Sequence, residues 1–140
     1  MNIALEQTDL VQLGERLRVA RSQAGLTQEQ AAKAMLDEPE RIAQLWRNTE
    51  RMKTGLLSLG FDLGQSASPI LPIYARDLRL AFTICKRMED EGVFVNPVVS
   101  PGIPRGEELI RLSLMATHTE AQIDFALEKL GLVGREVGLI

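Results

Sequence analysis

The sequence is short of the residues that staple or metallate a small protein. It has a single cysteine, Cys85, so no internal disulfide framework and no cysteine-based zinc cluster can form. It has a single histidine, His118, which excludes a histidine-based metal site. Excess positive charge is also missing. The net charge is −3, so no general basic field awaits nucleic acid or an anionic membrane. No apolar run approaches the ~20 residues of a membrane span. No basic start leads into an apolar core, so no secretory signal is read. No internal repeat or low-complexity stretch is visible. What remains is 140 residues, 45% hydrophobic and 25% charged, which is the make-up of one ordinary folded domain with or without a small appendage. A cytoplasmic protein is the expectation.

Apolar spacing organises the chain. Leu10, Leu13, Leu17 and Ala20 recur at helical spacing, and Gly25 suits the turn that ends this helix. Thr27 followed by Gln30 predicts a capping box for a second helix over about 28–35. Pro39, behind Asp37 and Glu38, opens a third. That helix is expected to carry Ile42, Leu45, Trp46, Met52, Leu56 and Leu57 toward a core and to end at Gly60.

The second half alternates strands and helices. "SPILPIY" (68–74) is a short apolar strand whose two prolines place it at a sheet margin. Asp77 caps a helix expected to bury Leu78, Ala81, Phe82, Cys85 and Met88, and Gly92 ends it. "VFVNPV" (93–98) and "LIRLSLM" (109–115) are further strands. Thr119 with Gln122 caps a last helix over Ile123, Ala126, Leu127 and Leu130. The predicted order is β-α-β-β-α. The fold class is α+β, a helical N-terminal segment followed by a small three-stranded sheet with helices on one face. Residues 1–35 and 36–140 are the expected divisions.

From about Ala34 the words "EPERIAQLWRNTERMKTGLLSLGFDLG", "SPILPIYA", "EGVFVNPVVSPGIPRG" and "LIRLSLMATHTEAQIDFALEKLGLVGREVGLI" resemble the C-terminal small domain of the α-oxoamine synthases. These are pyridoxal phosphate (PLP) enzymes of the serine palmitoyltransferase, 8-amino-7-oxononanoate synthase and 2-amino-3-ketobutyrate CoA ligase type. They condense an acyl-CoA with an amino acid. Earlier in the chain, "LGERLRVARSQAGLTQEQAAKAM" (13–35) is similar to the opening of phage-repressor-like helix-turn-helix domains. A structural or designed chimera with no ligand, and a helix-turn-helix DNA-binding protein, are therefore carried as alternatives.

The resemblance implies a role for Arg111, whose counterpart in the family binds the substrate carboxylate. A guanidinium fork pairs bidentately with a carboxylate, most strongly in a water-poor cleft. Alternation alone equally fits an arginine on the solvent side of a two-faced strand, since Arg111 lies opposite Ile110 and Leu112. The same resemblance makes "SPGIPRG" a wall of the site, stiffened by Pro101 and Pro104 and turned at Gly102. His118 reads as a locally bonded histidine near a helix start, Cys85 as a buried structural thiol, and Asp124 with Glu128 as a solvated face.

The family's cofactor lysine has no counterpart here. Lys33, Lys53, Lys86 and Lys129 all fall in helical patterns among polar neighbours. The expectation is a non-catalytic small domain with no cofactor of its own, PLP belonging to the intact family. The partners would be a large catalytic domain or a second copy. No nucleic acid is expected, because the place of a recognition helix begins Asp37, Glu38, Pro39, Glu40, where carboxylates repel phosphate.

Overall fold

The computed structural model describes residues 37–140 throughout, together with Gly25, Thr27, Glu29, Gln30 and Lys33. The helix predicted over 10–24, and most of the one over 28–35, lie outside the described residues. The chain divides into two compact units, residues 1–40 and residues 41–140. In the first, the Thr27–Gln30 capping box is formed. The Thr27 amide donates to Gln30 Oε1 at 2.8 Å, and the Gln30 amide donates to Thr27 Oγ1 at 3.1 Å.

The elements beyond that point are α1 (Pro39–Leu59), β1 (Ile70–Tyr74), α2 (Leu78–Asp90), β2 (Asn96–Val98), β3 (Leu109–Ser113) and α3 (Glu120–Glu136). This is the β-α-β-β-α order after α1, and the fold is the α+β mix expected. The strands form one antiparallel sheet in the order β1-β3-β2, with β3 in the centre.

Both edge strands carry a proline, and backbone parity explains why neither harms the ladder. The Tyr74 amide points away from β3 and donates to the Asp62 carbonyl at 3.0 Å. Pro72 shares Tyr74's parity, so its missing N–H also lies on the open margin of the sheet. Pro97 stands opposite Ile110, whose polar groups turn toward β1, and its nitrogen likewise faces outward.

One face of the sheet is dry. Leu71 and Ile73 of β1 and Ile110 and Leu112 of β3 are buried beneath the helices, with Met52, Leu56, Ile84, Met88, Ile123, Leu130 and Val133. Burying each such side chain contributes roughly 1.5–3 kcal/mol. Asp77 caps α2 by accepting the Leu80 amide at 2.8 Å. Thr119 and Gln122 form a reciprocal capping box on α3. The helices approach closely where Gly55 meets Leu127, since a Cβ at Gly55 would lie 2.5 Å from Leu127 Cδ1.

Two helices bury a narrower stripe than expected: Leu45, Met52 and Leu56, and Ala81, Cys85 and Met88, go inward as read, and the rest of each expected set does not. In α1, Ile42, Trp46 and Leu57 are exposed, while Asn48 and Thr49 are buried beside Met52 and Leu56. In α2, Leu78 and Phe82 are exposed and Ile84 takes the inward place. Apolar residues occupy more than one face of each helix. The stripe that enters the core is the continuous one through Leu45, Met52, Leu56 and Leu59, and through Ala81, Ile84, Cys85 and Met88. Ion pairs span the helices at the surface. Arg51 of α1 forms a two-pronged pair with Asp124 of α3 at 2.8 Å, and Arg87 of α2 pairs with Glu136 at 2.7 Å. Among the described residues no helix is long and apolar enough to cross a membrane.

Candidate functional site

The second face of the sheet carries no helix of this unit and holds Arg111 at its centre. Strand alternation buries Ile110 and Leu112 and turns Arg111 the other way, half-buried. Its row across the sheet is Pro72–Arg111–Asn96. The next row toward the hairpin end is Tyr74–Leu109–Val98, and the row beyond Arg111 holds Ile70 opposite Ser113. Arg111 is thus a cation set among mostly apolar neighbours. Its Nε is buried and has no hydrogen-bond partner. A buried N–H normally finds an acceptor, and leaving one orphaned costs about 1–3 kcal/mol.

The loop 99–108 joins β2 to β3. It leaves the hairpin one row beyond the arginine, about 7 Å along the strand. Its turns are internally bonded: the Gly102 amide donates to the Val99 carbonyl at 2.9 Å, and the Gly106 amide donates to Glu108 Oε2 at 2.9 Å. Pro101, Gly102 and Pro104 are exposed on it. The loop is anchored at its return. The Glu108 carbonyl accepts both the Ala75 and the Arg76 amides, at 2.9 and 2.8 Å, and Glu108 itself is 5% exposed. Arg76 takes a left-handed backbone, φ 57°, to bring both amides to that one carbonyl, and its side chain pairs with Asp62 and lies 5.1 Å over the Tyr74 ring.

His118 and Cys85 lie apart from this face. The His118 Nδ1 accepts the Met115 amide at 3.3 Å, closing the turn between β3 and α3. Asn48, 1% exposed, locks that turn to α1 by donating to the Met115 carbonyl at 2.9 Å and the His118 carbonyl at 2.8 Å. Cys85 is half-buried, and burial pushes its thiol up to about 11, so it stays protonated and unreactive at neutral pH. Asp124 is held below the usual carboxylate range by its hydrogen bond from Arg51, the solvated pairing of a helix surface.

Lys53, Lys86 and Lys129 do not fit a PLP holder. Lys86 is paired with Asp90 at 2.7 Å and Lys129 with Glu91 at 3.0 Å, which raises both amines and keeps them protonated. Lys53 donates to the Ser66 carbonyl at 3.3 Å. A Schiff-base lysine needs a free amine facing its cofactor. Among the described residues no cluster of histidine, cysteine and carboxylates is set to hold a metal ion.

Two features escaped the sequence reading. Asn96 shares Arg111's row, a juxtaposition that strand register shows and linear spacing does not. An apolar cavity of about 440 Å³ lies on the helix side, between the segment before β2 and α3, lined by Phe94, Leu112, Leu114, His118 and Phe125 among others. It opens because β2 stops at Asn96 and leaves the far end of β3 uncovered.

Comparison with known proteins follows this architecture. The family model described as aminotransferase class I and II matches residues 13–130. A serine palmitoyltransferase of Sphingobacterium spiritivorum is 55% identical over 100 residues, 71% of this chain and 25% of that protein. An 8-amino-7-oxononanoate synthase of Symbiobacterium thermophilum is 43% identical over 110 residues, 79% of this chain and 28% of that protein. A solved structure of SPT with its PLP internal aldimine superposes with a TM-score of 0.70 at 35% identity, covering 72% of this chain and 26% of that one. The Sphingomonas wittichii serine palmitoyltransferase gives 0.67 at 32% identity, covering 70% and 25%.

The chain spans about a quarter of the length of these relatives. The family match begins at residue 13 and crosses the 35/36 division. It therefore takes in the segment read as repressor-like, and neither the helix-turn-helix reading nor the chimera finds support. The chain belongs to the aminotransferase class I and II family, and shares the fold of the matching part of serine palmitoyltransferase and 8-amino-7-oxononanoate synthase.

Proposed function

We propose that this chain supplies the small, non-catalytic domain of a PLP-dependent α-oxoamine synthase, one that condenses an acyl-CoA with an amino acid, and that Arg111 binds the carboxylate of the amino-acid substrate. The observation that carries this reading is the orphaned, buried Nε of Arg111, on the sheet face that carries no helix of the 41–140 unit. A guanidinium held on a central strand, with apolar neighbours and an unused donor, is prepared for an anion that brings its own acceptors. PLP and its lysine belong, in this reading, to a large catalytic domain. That domain is the partner that closes the open face and dries the site. Pro101, Gly102 and Pro104 form one rim of it, on a loop anchored through Glu108. The cytoplasmic location expected from the sequence is part of the same proposal.

The test is a titration of the full chain labelled with ¹⁵N-arginine, following the Arg111 Nε–Hε resonance, which is assigned by its loss in Arg111→Lys. L-serine, glycine and acetate are expected to move it, and the neutral L-serinamide is not. An Arg111 resonance that stays still up to tens of millimolar carboxylate, or that answers serinamide equally, refutes the reading.

A further inference from the structure

We infer that Asn96 is the second half of the carboxylate site, a positioning residue whose side-chain amide donates to the same anion as Arg111 and sets its plane; this rests on the reading of Arg111 just given. The argument begins with backbone parity. The Leu114 amide donates to the Pro69 carbonyl at 3.0 Å, toward β1. Ile110, Leu112 and Leu114 therefore turn their backbone polar groups to β1, and Leu109 and Arg111 turn theirs to β2. Arg111 and Asn96 are register partners in the β2–β3 ladder. They form its hydrogen-bonded pair, with Cα atoms about 5.5 Å apart and both side chains on the open face.

Across the other ladder stands Pro72, at a pair of the closer, non-hydrogen-bonded kind, about 4.5 Å between Cα atoms. Its ring has no donor or acceptor. On the β1 side the row therefore offers Arg111 only carbon, and its polar neighbour within the row is Asn96. Both residues are half-buried. Among the described residues neither the Asn96 amide nor the Arg111 guanidinium has a side-chain hydrogen bond or ion pair.

Two unspent polar groups side by side on a mostly apolar patch fit one ligand. An ionised carboxylate offers about four lone-pair sites, and the guanidinium fork uses two of them. Asn96 Nδ2–H is placed to take a third. Arginine alone leaves the carboxylate free to swing about the fork axis. A further donor at the side fixes that rotation, and with it the direction in which the α-carbon leaves the site.

The experiment uses the full chain and the Arg111 Nε–Hε resonance, in two arms. In the first, without added ligand, Asn96→Asp installs a carboxylate where the amide was. It is expected to occupy the fork and move the Nε–Hε resonance toward the position that acetate produces in the unaltered chain. In the second, Asn96→Ala is titrated with acetate and L-serine, with dispersed backbone spectra as the check on folding. Loss of a charge-assisted hydrogen bond is expected to weaken binding about tenfold or more. A resonance unmoved by Asn96→Asp, or a dissociation constant within about twofold in Asn96→Ala, overturns the proposal. If the unaltered chain binds carboxylate while both Asn96 variants behave like it, Asn96 is excluded and the reading of Arg111 stands. If Asn96→Asp moves the resonance and no carboxylate does so in the unaltered chain, the reading of Arg111 fails and the pairing geometry stands. In that case the proposed role for Asn96 falls with it.

Discussion

Replacing Asn48 by alanine removes a side chain that ties the β3–α3 turn to α1. Its amide donates to the Met115 and His118 carbonyls at 2.9 and 2.8 Å, and its oxygen accepts from Gln44 Nε2 at 2.8 Å. The Met115 carbonyl also accepts the His118 amide at 3.2 Å, so it keeps a partner after the change. The His118 carbonyl does not. Of the three lost hydrogen bonds, the two to the turn carbonyls cost about 1 kcal/mol each, the Gln44 amide finds water instead, and one stranded acceptor adds about 1–3 kcal/mol, less whatever water reaches it. The expected loss is roughly 2–4 kcal/mol, or on the order of 10–20 °C in melting temperature for a unit of this size. Urea unfolding measured by far-UV circular dichroism reads the loss. Asn48→Leu keeps the volume and separates polar loss from cavity formation, and it is expected to cost nearly as much as alanine. Destabilisation below about 1 kcal/mol in both variants would refute the reasoning, because the turn would then be held by its own local bonds.

Two further outcomes follow from ionisable groups. Cys85, with its thiol pushed up to about 11 by burial, is expected to react with a disulfide reagent at pH 7.5 at least roughly tenfold more slowly than in strong denaturant; equal rates would show an accessible thiol. Asp62 is held low by the Gly64 amide and then by Arg76, and Asp124 is held low by Arg51. Depressed folded-state values mean stability that is present above the ordinary carboxylate range and is lost as pH falls through the folded values. The urea midpoint is therefore expected to drop between pH 5 and pH 2, and less steeply in a double Asp62→Asn, Asp124→Asn variant; identical slopes would contradict the pairing.

Local chemistry was legible in particular residues. Thr27 with Gln30, Asp77, and Thr119 with Gln122 cap helices through hydrogen bonds that reach only three residues. Pro72 marks an edge strand because proline lacks an N–H. Arg111 stands opposite Ile110 and Leu112 because side chains alternate along any strand. These results depend on covalent geometry and near neighbours, so a linear reading reaches them.

Inward faces and pairings were decided elsewhere. Trp46 and Phe82 are large and apolar, yet they are exposed, because the core accepts one stripe of each helix, through Met52 and Leu56 or through Ala81, Ile84 and Met88, and they lie off it. Asn48 is polar, yet it is buried, because the carbonyls it satisfies lie 67 and 70 residues further along. Asn96 gained significance only from the register that sets it beside Arg111. From residue 39 onward the sequence by itself determined the order of the elements, the caps at Asp77 and Thr119 and the parity of Arg111, all consequences of bonds spanning a few residues. The tertiary structure alone decided which helix faces are dry and which side chains share a row, since both depend on contacts between segments that are distant along the chain and meet only when the sheet and helices pack.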